Sequence, residues 1–263
     1  MGNQLKHPAG NFCWFELGTT DQAGAKAFYG SLFGWQFDEH PLPPEMGGVY
    51  CMFTVGGKEV GACYQLGPQM PGVPTHWMPY VAVDNVDATA AKITELGGEA
   101  VCPPMDVMNH GRMVTFKDPT GAMLSVWQPK EHYGADLVGA PGSVCWGELA
   151  TPDTAKAKAF YTGLFGWNTK DSQIPGMEYT EWINGAQPIG GMMPQTGPQW
   201  AGVPPHWLIY FAVEDADATV AQATSLGAKT IVPPMDIPGT GRFSVLMDPQ
   251  GGAFAIIHLT MPM

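Results

Sequence analysis

An internal duplication is the feature that most constrains the fold of this chain. Residues 26–35 read KAFYGSLFGW, and residues 158–167 read KAFYTGLFGW. The segment VPTHWMPYVAVDNVDAT at 73–89 likewise returns as VPPHWLIYFAVEDADAT at 203–219. A period this long is typical of duplicated domains rather than of a solenoid. We therefore predict two similar domains, residues 1–135 and 140–263, joined by a segment rich in glycine and small residues.

Each copy contains two amphipathic helix patterns. In the first, apolar residues recur with helical spacing between Ala25 and Phe33, and Thr19 with Gln22 resembles a capping box. The second pattern begins near Val86, with Asp84 as the expected N-cap.

Short alternating or β-branched runs between these helices predict strands. In the first copy they cover residues 12–17, 49–55, 60–66, 76–83, 112–117 and 122–128. One strand, one helix and about three strands occur twice per copy. The pattern predicts an α+β fold of four βαβββ modules, arranged in two tandem domains.

Composition excludes several classes of partner. The chain has 12 Lys and Arg against 24 Asp and Glu, a formal net charge of −12, which disfavours nucleic acid and anionic membranes. No run approaches the roughly 18 apolar residues that span a bilayer. The five cysteines form no C-x-x-C spacing and their number is odd, which suits a reducing compartment. These features predict a cytoplasmic protein with neither nucleic acid nor a membrane as its partner.

Several motifs, taken in order, resemble those of a known superfamily. They are TTD after the first strand, AFYGSLFGW, YVAVDNVDATAAKITELGG and DPTGAMLSVWQ. The chain is similar to the vicinal oxygen chelate superfamily of glyoxalases, bleomycin-resistance proteins and extradiol dioxygenases, especially its tandem glyoxalase-like members often labelled hydroxylases. The resemblance covers nearly the whole chain. It implies that the two modules of each domain form a U-shaped cleft, where catalytic members hold a divalent metal through His, Gln or Glu side chains.

The ligands that this resemblance implies are missing from the expected positions. Those positions carry Trp14 and Trp146, Met78 and Leu208, and Ser125 and Ala255. The strand at 60–66 contains no carboxylate. We therefore predict no metal site of the usual kind and no cofactor, while a divalent metal in a non-standard register stays open as an alternative.

Strand parity identifies a different pair of candidate catalytic residues. Trp14 and Glu16 share one strand face, as do His76 and Met78. If the two strands meet antiparallel with Trp14 opposite Met78, then Glu16 lies against His76. The same reasoning pairs Glu148 with His206 in the second copy. Such pairs suit acid–base chemistry, and the alternative is a purely structural polar contact between modules.

Side chains on the inward strand faces and two arginines provide candidate substrate-binding residues. Those on the inward strand faces either line a pocket for a flat organic ligand or belong to the core. They are Trp14, Met78, Tyr80, Ser125, Trp127, Trp146 and Tyr210. Arg112 and Arg242 either clamp a substrate carboxylate or, as we favour, fix their own PPMD loops through Asp106 and Asp236.

Two functions are consistent with these residues. The first is a tandem glyoxalase-like protein, a monomer with an internal pseudo-dimer or a homodimer, that binds a small aromatic or apolar molecule in its cleft without the usual metal. The alternative is a lyase, isomerase or oxygenase-type enzyme that uses a Glu–His pair or a non-standard metal site. A further possibility is that one domain has lost its pocket and only supports the other. The pocket is then expected in the first domain, because Ser125 and Trp127 become Ala255 and Ile257 in the second domain.

Overall fold

A computed structural model describes residues 5–43, 47–172 and 178–260. The elements of the first half are β1 (Phe12–Thr19), α1 (Gln22–Phe33), β2 (Gln36–Pro41), β3 (Val49–Val55), β4 (Lys58–Gln65), β5 (His76–Ala82), α2 (Val86–Glu95), β6 (Glu99–Ala100), β7 (Met105–Val107), β8 (Gly111–Lys117) and β9 (Met123–Pro129). Among the helices of the described residues, none has both the length and the apolar composition that a membrane span requires.

The second half repeats this order. Its elements are β10 (Val144–Thr151), α3 (Thr154–Phe165), β11 (Asn168–Asp171), β12 (Thr180–Asn184), β13 (Gln187–Pro194), β14 (His206–Ala212), α4 (Ala216–Ser225), β15 (Lys229–Ile237), β16 (Gly241–Met247) and β17 (Ala253–Leu259), with a short 3₁₀ helix at Pro198–Trp200.

Each half contributes one sheet. The strand orders are β2-β3-β4-β1-β5-β9-β8-β6, with β7 also paired to β8, and β11-β12-β13-β10-β14-β17-β16-β15. In every module the first strand pairs in parallel with the last, for example through Glu16 opposite Ala62 and Tyr80 opposite Ser125. The predicted α+β fold of four βαβββ modules in two tandem domains is confirmed. The boundaries 1–135 and 140–263 stay a prediction.

The two compact units of the chain do not follow the two sequence copies. One unit, here called the α2/α3 unit, contains the described residues of 1–14, 79–134 and 146–208. The other, the α1/α4 unit, contains those of 15–78, 135–145 and 209–263. Each unit therefore combines the helix-bearing parts of one module from each copy.

The duplicated decapeptide belongs to a helix whose apolar side is buried in the core. In α1, Ala25, Phe28, Tyr29 and Leu32 are buried, as the helical spacing predicts. Gly34 ends the helix in the left-handed conformation, with φ at 70°, which glycine adopts without a steric cost. The N-caps differ from the prediction: Asp21, not Thr19, accepts from the amide of Gly24, because the chain turns two residues later.

Two further local differences also have simple causes. Asn85 rather than Asp84 caps α2, by accepting from the amide of Ala88. The strand β2 is absent from the predicted set because all six of its residues are exposed, and a fully exposed edge strand lacks the alternation that signals a strand.

A buried chain of hydrogen bonds ties the two sequence copies together inside each unit. In the α2/α3 unit, Trp207 Nε1 donates to Tyr161 Oη at 3.0 Å, and Tyr161 Oη donates to Asp118 Oδ2 at 2.8 Å. In the α1/α4 unit, Trp77 Nε1 donates to Tyr29 Oη and Tyr29 Oη donates to Asp248 Oδ2, both at 2.9 Å. The tyrosine of the FY motif is thus the partner of the aspartate in the DP-x-G motif of the other copy.

Candidate functional site

A polar cluster forms around Gly18 in the α1/α4 unit. Glu16 and Gly18 lie two residues apart on β1, and therefore on one face of the sheet. A Cβ at Gly18 would lie 2.9 Å from Tyr64 Oη and 3.1 Å from His76 Cε1. The missing side chain is therefore what lets Tyr64 and His76 approach this strand so closely.

The electrostatics of this cluster suit proton transfer. Burial raises the pKa of Tyr64, and the nearby charge of Glu16 raises it further, so the phenol stays protonated and can donate. His76 Nδ1 lies 2.8 Å from the carbonyl oxygen of Pro74. A carbonyl only accepts, so Nδ1 carries a proton and Nε2 is the ring nitrogen through which a proton can be exchanged. The side chains of Glu16, Tyr64 and His76 are half-buried.

In the second copy, within the α2/α3 unit, a tyrosine also lies against the matching glutamate, but it comes from a different position in the module. Tyr179 precedes β12 and hydrogen-bonds Glu148, which is buried. Trp146 Nε1 donates to Tyr179 Oη at 2.8 Å. Burial, followed by the charge of Glu148, raises the pKa of Tyr179. Gly191, opposite Glu148 in the β10–β13 register, leaves room for the tyrosine, because a Cβ there would lie 1.8 Å from Tyr179 Oη.

The tyrosines of these clusters were not among the sequence candidates. Tyr64 belongs to β4, whereas Tyr179 lies ahead of β12, so the two tyrosines do not occupy equivalent positions of the duplication. The available signal was a glycine inside a strand, which often marks close approach of another group. His206 repeats the bond of His76, with Nδ1 at 2.9 Å from the carbonyl oxygen of Pro204. The proposed Glu16–His76 and Glu148–His206 pairings stay predictions.

An aromatic wall forms in the α2/α3 unit from first-copy residues. The ring of Trp14 meets that of His132 edge-on, with centroids 4.7 Å apart. Trp127 Nε1 donates to the carbonyl oxygen of His132 at 2.9 Å, and the Trp127 ring lies over Gly111. Trp14 and Trp127 are buried. The indoles are thus held in fixed orientations by His132.

Tyr80 and Ser125 complete this aromatic wall. They are register partners on β5 and β9, and both are buried. Ser125 Oγ lies 2.8 Å from Thr115 Oγ1, which gives the otherwise apolar face a pair of hydroxyl groups. We define the aromatic wall as Trp14, Tyr80, Ser125, Trp127 and His132.

The corresponding second-copy face, in the α1/α4 unit, is less polar. Tyr210 pairs with Ala255 and lies near Phe243, with ring centroids 6.2 Å apart. Ala255 and Ile257 are buried and carry no hydrogen-bonding side chain. Met78 and Leu208, each in a different unit, are also buried apolar side chains.

Both candidate arginines are engaged by carboxylates. Arg112 donates to Asp87 through Nε and Nη2 at 2.9 and 2.8 Å, and Nη1 lies 3.4 Å from Asp106. Arg242 makes the matching contacts with Asp217 and Asp236. The loop contact that the sequence favoured is thus present, and the helix aspartates are additional partners. A role for either arginine in clamping a substrate stays a prediction.

The donor atoms do not fit the divalent metal centre of the superfamily. Within residues 5–43, 47–172 and 178–260, no group of three or more His, Cys, Asp or Glu side chains lies close enough to hold an ion. The positions at which the resemblance implies ligands supply indole, thioether, hydroxyl and aliphatic groups instead. Carboxylate groups suit hard divalent ions, and imidazole groups suit Zn, Cu, Fe and Ni.

A separate open groove of about 280 Å³ lies in the α2/α3 unit. Its lining includes Gly10, Asn85, Thr89, Lys92 and Phe165. None of the candidate site residues lines it.

Comparison with protein families gives one match that covers most of the chain. The model described as Glyoxalase/Bleomycin resistance protein/Dioxygenase superfamily matches residues 11–126 and again 143–256. The two matches coincide with the two copies of the internal repeat.

Two curated relatives align along nearly their whole length. A protein of Mycobacterium bovis that bears the provisional name glyoxylase CFP32 is 43% identical over 259 residues, covering 98% of each chain. The anthracycline biosynthesis protein DnrV of Streptomyces peucetius is 38% identical over 258 residues, covering 94% of this chain and 92% of its own.

The fold is also shared with solved structures of low sequence identity. The Mn(II)-bound glyoxalase from Novosphingobium aromaticivorans has a TM-score of 0.66 at 17% identity, over 97% of this chain and 84% of its own. The 2,3-dioxygenase LapB from Pseudomonas has a TM-score of 0.64 at 12% identity, over 98% and 95%.

Proposed function

This chain belongs to the Glyoxalase/Bleomycin resistance protein/Dioxygenase superfamily, and from that premise we propose that it binds a small aromatic or apolar molecule without the usual metal centre. The resemblance identified in the sequence is confirmed. The binding surface in this proposal is the aromatic wall of the first copy. Its ligand is a flat organic molecule with at least one oxygen atom that the hydroxyl groups can bind.

The fixed indoles of the aromatic wall carry this proposal. Trp127 is anchored through Nε1 to the His132 carbonyl, and Trp14 contacts the His132 ring. Rigid aromatic side chains present a large apolar area and lose little conformational entropy on binding. The Ser125 and Thr115 hydroxyls add a polar contact that would orient an oxygen-bearing ligand.

The name of one relative supports the ligand class. A protein 38% identical to this chain is named for anthracycline biosynthesis, and anthracyclines are flat, oxygen-rich aromatic molecules. We therefore take an anthracycline as the probe for binding.

Replacing Trp127 by Ala is expected to weaken binding of an anthracycline about tenfold or more, because the anchored indole provides much of the apolar contact. Isothermal titration of the full chain measures the dissociation constant. Ile257→Ala, at the matching position of the second copy, is the control and is expected to leave the affinity nearly unchanged. Equal losses in both variants, or no loss at Trp127, would contradict binding at the aromatic wall.

Metal content tests the second part of the proposal. Elemental analysis of protein purified without added metal or chelator is expected to show less than one equivalent of Mn, Ni, Zn or Fe. Stoichiometric metal that disappears when Glu16 and Glu148 are both replaced by Gln would overturn the metal-free account.

A second candidate function is acid–base catalysis at the Gly18 cluster. The bond between His76 Nδ1 and the Pro74 carbonyl favours it, because Nε2 is then available to take a proton beside the protonated phenol of Tyr64. Glu16 would act as a second base. The reaction class is proton transfer next to a carbonyl group, and the name glyoxylase of the 43% identical relative suggests a small dicarbonyl compound.

Glu16→Gln is expected to slow the turnover of methylglyoxal about a hundredfold or more, since a positioned general base typically contributes that much to a rate. Disappearance of the dicarbonyl, followed by absorbance, gives the rate. Glu95→Gln, an exposed change on α2, is the control. If wild type and Glu16→Gln show the same rate, the cluster has no catalytic role in this reaction.

The remaining assignments are parts of the same proposal. We take the protein to be cytoplasmic, to act as a monomer with an internal pseudo-dimer or as a homodimer, and to have a small molecule rather than nucleic acid as its partner. The net charge of −12 supports the last of these, because phosphate backbones would be repelled.

A further inference from the structure

Two cysteines lie directly opposite each other in the α1/α4 unit. Cys51 on β3 and Cys63 on β4 are register partners in an antiparallel pair. Opposed residues in such a pair project from the same face of the sheet, with Cβ atoms about 4.5 to 5.5 Å apart. Both side chains are fully buried and both thiols are free. Two thiols thus lie side by side at a spacing close to that of a disulfide, whose Cβ atoms are about 3.8 Å apart.

The thiols are part of a polar row across three strands. Glu39 on β2 is the register partner of Cys51, and the ammonium of Lys26 on α1 forms an ion pair with Glu39. On the other side, Gln22 Nε2 donates to the Cys63 carbonyl at 3.0 Å and lies 3.7 Å from Cys63 Sγ. The two thiols are therefore flanked by hydrogen-bonding and charged groups, unlike cysteines that serve only as small core residues.

These neighbours distinguish the two thiols chemically. A hydrogen bond from the Cys63 thiol holds the pKa of Cys51 below its usual value, against the effects of burial and of the Glu39 and Asp38 charges, and Lys26 acts in the same direction as Cys63. The same hydrogen bond raises the pKa of Cys63, as does its burial. Cys51 is therefore the first of the two to become the reactive thiolate, and Cys63 remains the protonated partner.

The second copy builds the same row without thiols. Lys158 on α3 pairs with Asp171 at 3.1 Å, Asp171 is opposite Thr180, and Thr180 is opposite Met192. Thr180 and Met192 thus take the places of Cys51 and Cys63. Because this arrangement folds with a hydroxyl and a thioether, the fold itself does not require a pair of cysteines at the matching positions.

We propose that Cys51 and Cys63 are a redox-active pair that closes to a disulfide when the protein meets a peroxide. The Cys51 thiolate attacks one oxygen of hydrogen peroxide, the O–O bond breaks, and the leaving hydroxide takes a proton to become water. The Cys63 sulfur then attacks the resulting sulfenic acid at Cys51. That step forms the S–S bond and releases a second water, so that the two thiols are oxidised and the peroxide is reduced.

The position of the pair near the edge of the sheet allows an oxidant to reach the thiols, and it places the disulfide next to the Gly18 cluster. β2, the outer strand of the sheet beside Cys51, has all of its residues exposed, and opening of this edge exposes the thiols. Tyr64 directly follows Cys63 on β4. A disulfide would draw β3 toward β4 at the strand that carries the phenol of the Gly18 cluster.

The test is peptide mapping of the full chain after reduction and brief exposure to hydrogen peroxide. We expect a linked peptide containing Cys51 and Cys63, the loss of two thiols and of the mass of two hydrogen atoms, and reversal by dithiothreitol. Cys51→Thr and Cys63→Met, which introduce the residues of the second copy, are each expected to abolish the linked species while keeping the unfolding midpoint close to that of wild type.

Other outcomes would overturn the proposal. They are oxidation confined to Cys13, Cys102 or Cys145, oxidation of Cys51 to sulfinic acid with no linked peptide, or a species lacking two hydrogens that persists in Cys51→Thr. The mapping of wild type alone decides the first two, so the proposal stays testable even if a variant folds poorly.

Discussion

Tyr161→Phe is expected to lower the free energy of unfolding by about 2 to 4 kcal/mol, a large loss for the removal of one oxygen atom. The Tyr161 hydroxyl donates to Asp118 Oδ2 and accepts from Trp207 Nε1. Tyr161 is 0% exposed, Asp118 3% and Trp207 5%, so no water can replace the missing oxygen without rearrangement. The variant therefore leaves a carboxylate oxygen and an indole N–H buried without their partner.

Urea unfolding, followed by circular dichroism, measures this loss. Tyr133→Phe is the matched control, because Tyr133 is half-buried and its contact with the Lys6 ammonium, 4.9 Å from the ring centroid, survives in phenylalanine. Its expected change is below about 0.5 kcal/mol. If Tyr161→Phe were no more harmful than the control, the hydrogen-bonded chain from Trp207 to Asp118 would contribute nothing to stability.

The equivalent change in the α1/α4 unit, Tyr29→Phe, is expected to depend on pH. Burial raises the pKa of Asp248, while the Gly252 amide and the Tyr29 hydroxyl oppose that rise. A carboxyl group with a raised folded-state pKa loses its stabilising effect as the pH rises through that pKa. Removing the Tyr29 hydroxyl raises the pKa further. The destabilisation relative to wild type should therefore be larger at about pH 7 than at about pH 4.

Gly111→Ala is expected to displace the Trp127 ring, lower the free energy of unfolding by about 1 to 3 kcal/mol, and weaken anthracycline binding about tenfold or more. A Cβ at Gly111 would lie 2.3 Å from Trp127 Cζ2, 2.6 Å from Cε2 and 2.7 Å from Cη2. Three ring atoms at these distances require the whole indole to move. Its bond to the His132 carbonyl would break, and the aromatic wall would lose its fixed orientation.

A double-mutant cycle separates this clash from a general effect of alanine. Trp127→Phe replaces the indole by a smaller ring and so relieves the clash. The double variant Gly111→Ala, Trp127→Phe should therefore be more stable, by about 1 kcal/mol, than the sum of the two single changes predicts. Denaturant unfolding of the four proteins gives the coupling. Strictly additive effects would show that the Trp127 ring does not lie over Gly111.

The family and the module order were predictable because both depend on local patterns. The apolar stripe that includes Phe28 and Tyr29 needs only helical spacing to be recognised, and these residues are buried as predicted. Gly34 likewise ends its helix because of its own backbone freedom. The repeat supplied every such signal twice.

The polar partners of the candidate site were not predictable in the same way. Tyr64 approaches Gly18 from a strand more than forty residues away, and Tyr179 reaches Glu148 from outside the regular strands. Hydrogen bonds of this kind have no period along the chain. Asp87, the main partner of Arg112, was missed for the same reason, whereas the nearby Asp106 was found.

The sequence by itself determined the duplication, the four βαβββ modules, the superfamily and the replacement of the expected metal ligands by Trp14, Met78 and Ser125. Each of these follows from the identity and spacing of neighbouring residues. Only the tertiary structure decided that each compact unit combines modules from both copies, that Tyr161 bonds Asp118, and that Cys51 faces Cys63. The physical reason is that strand register and side-chain packing join residues distant in the chain, and no local spacing encodes which of them will meet.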